Sequence, residues 1–378
     1  VTTLAVGDHP YCATTDHRGQ RLFVTNTGED SVTVIDLASR RTIGKIRVPG
    51  TPEGIAYDAV RQQVLVASWM DNVLAVIDDT AQVLKSAIKV GSQPRAFGQF
   101  IGHAHISPCS GQLLQQLADF FEGRSMQTKL SNLILAGALA SFCSSVFSQP
   151  LAYVPNEKDG AVTVIDTSTD QVINTLPKKG KLGKKVQAAA IHPSNQKLYV
   201  VVRDKNAVSV VDTQLGKQTA LIKVGDEPEG IDISADGKLL AACLEEENAV
   251  ALVDLQLNKV KRTIATQGKN PEHCVFSPDQ QWLLASNEES NNVDVINLNT
   301  FKSEHLIAAT KHPRGVGFSP DGKWAYVANE AASLLEIVST ADWKVQANIK
   351  VGLRSNGVKV NADGSRIYVS NGGDHNLS

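Results

Sequence analysis

The chain has 378 residues, 42% hydrophobic and 20% charged, which is ample apolar surface for one large closed body and too much for a disordered chain. A formal charge of -2 excludes a whole-molecule field of the kind that gathers nucleic acid or anionic lipid. Five cysteines (Cys12, Cys109, Cys143, Cys243 and Cys274) without CxxC or CxxCH spacing exclude the zinc-ribbon, thioredoxin-type and c-type haem classes.

The chain opens on VTTLAVGDHP, which reads as the fourth strand of a four-stranded unit. A phrase then begins to repeat roughly every 42 residues, the period of a propeller blade. It is SVTVID ending at Asp36, VLAVID at Asp78, AVTVID at Asp166, AVSVVD at Asp212, AVALVD at Asp254, NVDVIN at Asn297 and LLEIVS at Ser339. Each period has four parts. A Gly-x-x-Pro entry such as Gly225 to Pro228 leads into a first strand, and a turn such as Ser319 to Lys323 (SPDGK) reverses the chain. Proline sets φ there, aspartate accepts turn amides and glycine supplies positive φ. A second strand follows, as FVTN ending at Asn26, YVPN at Asn156, YVAN at Asn329 and YVSN at Asn371. The VID phrase is the third strand, and its aspartate is placed to accept amides in the turn to the fourth. Short β-branched strands with turn signals between them predict blades rather than a sandwich, and no window has the 3.6 period of a helical solenoid.

One stretch breaks the rhythm. RAFGQFI, from Arg95 to Ile101, reads as a first strand with nothing to pair with until LAYVPN at 151–156. Between them, residues 102–125 are junction or leader sequence, with amphipathic character from Leu113 to Phe121. Residues 126–148 (MQTKLSNLILAGALASFCSSVFS) have a start methionine, a lysine, an apolar run and small residues, which is the anatomy of a secretory signal with cleavage after Ser148. The apolar run is too short to span a bilayer. Because such a signal works at an N-terminus, residues 149–378 read as N-terminal-type blades and 1–101 as C-terminal-type blades of one propeller, with no transmembrane helix in the mature form. The end, RIYVSNGGDHNLS, stops where a VID phrase is due, so the two ends make one blade lacking most of its third strand. The expected fold is all-β: a β-propeller of seven to eight four-stranded blades, with a non-propeller insert of helical character at about 102–150. Cys12, Cys243 and Cys274 fall in strands and are expected to be small buried hydrophobes rather than disulfide partners.

The repeated YVTN-type and VID phrases resemble the YVTN-repeat family of β-propellers, WD40-like repeat proteins of bacterial and archaeal extracytoplasmic space. The resemblance implies a surface-layer-like or quinoprotein-associated protein, periplasmic or secreted. It also implies kinship with lactonase-like propellers and with the haem-carrying propeller of periplasmic nitrite reductases. It is specific for fold and nearly silent on chemistry.

Loops entering first strands line one mouth of a propeller's channel. The residues there are Tyr11, Glu53, Arg95, Glu229, Glu272, His273, Arg314, Arg354 and Asn356, and they are the candidate ligand site. Loops between second and third strands add Glu29, Asp30, Asp71, Asp159, Asp204, Glu245, Glu246, Glu247, Glu288, Glu289, Glu330 and Asp374 on the same face, without the D-x-D-x-D-G spacing of a calcium loop. His273 and His312 are the candidate metal or haem ligands by position. With no GxSxG, HExxH, phosphate loop or dinucleotide fingerprint, no catalytic residue is assigned. The expectation is a monomeric, non-catalytic scaffold that needs no cofactor and binds a periplasmic protein, a peptide or a small polar ligand. The alternative is a metal-dependent lactonase-like enzyme or a haem-binding propeller. Nucleic acid is disfavoured, because KKGKLGKK (178–185) lacks interleaved aromatics.

Overall fold

The computed structural model describes residues 3–95, 100–102, 151–361 and 363–378; the signal-like segment and the insert read from the sequence, with Cys109 and Cys143, lie outside them. Among the described residues there are eight four-stranded antiparallel sheets. Numbered along the chain, blade 1 spans residues 10–47, blade 2 residues 52–89, blade 4 residues 186–223, blade 5 residues 228–265, blade 6 residues 271–308 and blade 7 residues 313–350. Blade 3 takes its first strand from Ile101–Gly102, which pairs with Leu151–Asn156, and it ends at residue 176. Blade 8 combines Ser355–Val360, Ile367–Asn371 and the two-residue Asn376–Leu377 with Leu4–Ala5 from the other end of the chain.

Eight blades rather than seven follow from where the core lies. Eight apolar clusters each join two consecutive blades. One seals blades 2 and 3, with Leu65, Leu74, Phe100 and Ile101 against Ala152 and Ile165, and another seals blades 8 and 1, with Tyr368 and Leu377 against Leu22 and Leu37. Second and third strands are buried along nearly their whole length because both faces of a blade pack on neighbours, whereas fourth strands such as Arg41–Arg47 are mostly exposed.

Local turn chemistry matches the repeat. Asp212 Oδ1 accepts the amides of Gln214 and Leu215 (2.9 and 2.7 Å), and Asp254 Oδ1 those of Gln256 and Leu257 (both 2.9 Å). In the SPDGK turn Ser319 Oγ donates to Asp321 Oδ1 (2.6 Å), and Gly322 has φ +70°. The asparagine closing the second strand is buried and structural: Asn26 Oδ1 accepts the Gly7 amide (3.0 Å) and its Nδ2 donates to Ser31 Oγ and Thr33 Oγ1 (2.8 and 3.0 Å).

Two devices tie blades to their neighbours. In the first, a left-handed residue in the loop after the second strand accepts the backbone amide of the left-handed residue that precedes the next blade's first strand. Asp30 holds Thr51, Asn72 holds Gln93, Asn248 holds Asn270 and Asn291 holds His312, at 2.7–2.8 Å. Asp71, Asp159, Asp204 and Asp374 likewise accept entry-loop amides, so these loop acids are fasteners rather than free acceptors. In the second, first strands crowd each other around the channel. A Cβ on Gly230 would lie 2.5 Å from the Glu272 carbonyl oxygen, and one on Gly315 would lie 2.4 Å from that of Asn356. Gly315→Ala is therefore expected to lower the unfolding free energy by about 1–3 kcal/mol through overpacking, read by chemical denaturation.

The cysteine expectation needs correction. Cys243 and Cys274 form a disulfide, Cα–Cα 6.0 Å, between the second strand of blade 5 (Leu239–Leu244) and the first strand of blade 6 (Pro271–Phe276). Only blade stacking brings together two residues that are far apart along the chain. Cys12 is the free cysteine of the described residues, and burial, reinforced by Glu53, raises its pKa to about 12.

Candidate channel-mouth site

The residue following the first-strand proline takes one place per blade around the channel: Tyr11, Glu53, Arg95, Glu229, Glu272, Arg314 and, after Ser355, Asn356. Blade 4 supplies Gln187 at the equivalent place, which the sequence search missed because Val186 stands where the proline should be; Gln187 Oε1 is buried without a hydrogen-bond partner. A second tier comes from the residue just past each second strand, including Trp69, Glu157, Arg203, Glu245, Glu288 and Glu330. A third, one position before the proline or, in blade 8, before Ser355, includes Glu227, His312 and Arg354.

Three arginines bind these tiers together. Arg95 lies 2.9 Å from Glu157, 3.9 Å from Glu53 and over the Trp69 ring. Arg203 contacts Glu229, Glu227 and Glu245 at 2.6, 2.7 and 2.8 Å. Arg314 reaches Glu272 at 2.6 Å, Glu288 at 3.4 Å and Glu330 at 3.6 Å, and Arg354 adds a 3.3 Å contact to Glu330. Arg203 and Glu157 were not among the sequence candidates. A usable signal existed: both immediately follow a second strand, in the register of Glu245 and Glu288.

Eight glutamates (53, 157, 227, 229, 245, 272, 288 and 330) thus meet four arginines (95, 203, 314 and 354) at one mouth. Their electrostatics reflect the surplus of acid. Burial, with Glu229 nearby, raises Glu245 to about 7. Glu272 and Glu288 act on each other directly, and their like charges oppose ionising together. Burial and the charge of Glu272 raise Glu288 to about 8; burial also pushes Glu272 upward, but Glu288, His273 and Arg314 outweigh it and bring Glu272 below its ordinary value. Burial also raises Glu53 and Glu229, and raises Tyr11 well above the ordinary phenol value. His273 is open to the channel on about half its side chain (48%) yet enclosed by its walls, and that enclosure lowers its pKa. It stands where other blades carry glycine, alanine or cysteine.

Of the two candidate metal ligands, His312 lies 3.8 Å from Glu288 and 3.5 Å from Glu330, and the three offer ligand atoms within 4.8 Å of one another. His273 joins no such group among the described residues; its nearest acid is Glu272 at 3.8 Å.

The model of YNCE-like beta-propellers matches residues 170–366, more than half of the chain. The chain belongs to the YNCE-like beta-propeller family. No curated protein matches its sequence. Among solved structures, the propeller is similar to "Dihydro-heme d1 dehydrogenase NirN in complex with DHE" (TM-score 0.68, 13% identity, 92% of this chain and 72% of that one). It is also similar to Kuenenia stuttgartiensis hydrazine synthase (TM-score 0.59, 16% identity, 100% and 97%). At these identities the likeness is one of fold. No helix among the described residues of this YNCE-like propeller is long and apolar enough to cross a membrane.

Proposed function

We propose that this propeller is a non-catalytic, extracytoplasmic scaffold whose channel mouth binds a cationic group of a protein partner, a peptide or a small polar ligand. The observation that carries the reading is the surplus of acceptors at the mouth. Beyond the outnumbered arginines, Glu272 Oε2 and Glu288 Oε1 are buried and make no hydrogen bond, the latter with only Arg314 Nε beside it at 3.4 Å. A buried polar atom left unpaired costs about 1–3 kcal/mol, which an ammonium or guanidinium group entering the mouth offsets. The whole-chain charge hides this, because lysines elsewhere balance it.

Tetra-arginine and tetra-glutamate, titrated by calorimetry at low salt, test the proposal. Tetra-arginine is expected to bind and tetra-glutamate not, with Glu245→Gln and Glu288→Gln each weakening binding about fivefold or more. Affinity is expected to rise from pH 6 to pH 9 as Glu245 (about 7) and Glu288 (about 8) lose their protons. The free protein behaves oppositely. It holds these protons to higher pH than the unfolded chain does, so the stability they contribute is present below the unfolded carboxyl pKa and lost as pH rises through 7 to 8. Binding that is indifferent to charge and pH would sink the proposal. A turnover abolished by changing Glu272 or His273 would replace it with an enzyme.

A metal-carrying reading has one observation in its favour, the Glu288–His312–Glu330 grouping. Arg314 already brings positive charge to both of those carboxyls, which favours the scaffold reading. The extracytoplasmic placement is supported by the Cys243–Cys274 bridge, since disulfides persist in oxidising compartments. We read residues 1–101 and 149–378 as C-terminal-type and N-terminal-type blades of one propeller. Sequencing the exported product tests both points, with Gln149 as the expected first residue of a cleaved chain.

A further inference from the structure

At the junction between blades 8 and 1 the inter-blade fastener changes its chemistry. Where four other junctions use an asparagine or aspartate oxygen, His375 takes the place of the acceptor, and its Nδ1 receives the His9 amide at 3.1 Å. The same nitrogen lies 2.6 Å from Asp8 Oδ1, and so does His9 Nδ1. Nδ1 has one in-plane lone pair, so it cannot accept the His9 amide and also meet the Asp8 carboxylate favourably. A metal ion held by Asp8 and the imidazole would take that lone pair in place of the amide hydrogen. The space is kept clear as well: a Cβ on Gly28 would lie 2.6 Å from Asp8 Oδ2 and 2.9 Å from His9 Nδ1.

We infer that Asp8, His9 and His375 form a binding site for a divalent transition metal of the zinc class, which ties the two ends of the chain together where the ring closes. The three ligand atoms lie within 4.8 Å of one another. Two imidazoles and one carboxylate suit zinc, copper or nickel, whereas calcium and magnesium prefer all-oxygen sets. All three side chains are about half exposed, so an ion can enter and water can fill its remaining positions. His9 and His375 both have left-handed backbones (φ 49° and 53°), the conformation that aims the corresponding residues at each other across the other junctions. The inference is independent of what the channel mouth binds.

The informative variant is His375→Asn, because asparagine fills this place at several other junctions and preserves the fastener while removing the imidazole. Zinc chloride titrated into the full chain is expected to bind at one ion per chain and to raise the thermal midpoint. His375→Asn should unfold at the wild-type midpoint without zinc, yet bind zinc about tenfold more weakly or worse and lose the thermal shift. His312→Asn should leave both unchanged. The inference is overturned if the wild type takes up no saturable zinc, if His375→Asn binds as tightly as wild type, or if His312→Asn abolishes uptake, which would place the ion at Glu288 and Glu330.

Discussion

Replacing Cys243 and Cys274 together by alanine is expected to lower the unfolding free energy by about 3–4 kcal/mol at 25 °C, the chain-entropy value for a loop of 31 residues. The bridge crosses from one blade to the next rather than within a blade, so its loss loosens an interface that otherwise depends on Leu252, Ile264, Phe276 and Leu283. Both cysteines are buried, at 0% and 4% exposure. Dithiothreitol should therefore leave the folded protein oxidised and act only once denaturant opens it. Urea denaturation of the double variant beside the wild type measures the loss, and thiol titration of the native protein measures the protection. A loss below about 1 kcal/mol would mean that the two blades are held by packing alone.

Arg314→Met should be the most damaging single change at the mouth. Its guanidinium is the shared cation of Glu272, Glu288 and Glu330, and Glu272 is only 6% exposed. Breaking a buried pair by removing one partner costs about 3–5 kcal/mol, because the remaining charge is left without compensation. The penalty should be smaller at pH 5 than at pH 8, since the orphaned carboxyls can then take up protons. Adding Glu272→Gln to Arg314→Met should recover part of the loss, whereas Arg314→Lys, without the planar fork, should recover little. Denaturation of this set at the two pH values checks the expectation. A uniform cost below about 1 kcal/mol would make the mouth an ordinary wetted surface.

Much of this protein is written locally and was legible as such. Proline entries, SPDG turns and VID aspartates act within a few residues of themselves, so their recurrence declared four-stranded blades before any contact was known. The residue after each proline likewise announced six of the eight innermost positions, and the repeat spacing gave Asn356 as a seventh. Gln187 and Arg203 escaped because blade 4 enters on Gly183 to Val186 without the proline and ends its second strand on YVVV rather than YVxN.

The sequence by itself determined the blade and its repeat, because strand, turn and cap are short-range chemistry. Only the tertiary structure decided the rest. Closing the ring at eight requires Ile101 to meet Ala152 and Leu4 to meet Leu377. The disulfide, the arginine-centred mouth and the Asp8–His9–His375 cluster all join residues of different blades. Their partners are distant along the chain and become neighbours only when apolar blade faces stack and bring each first strand against the next around the channel.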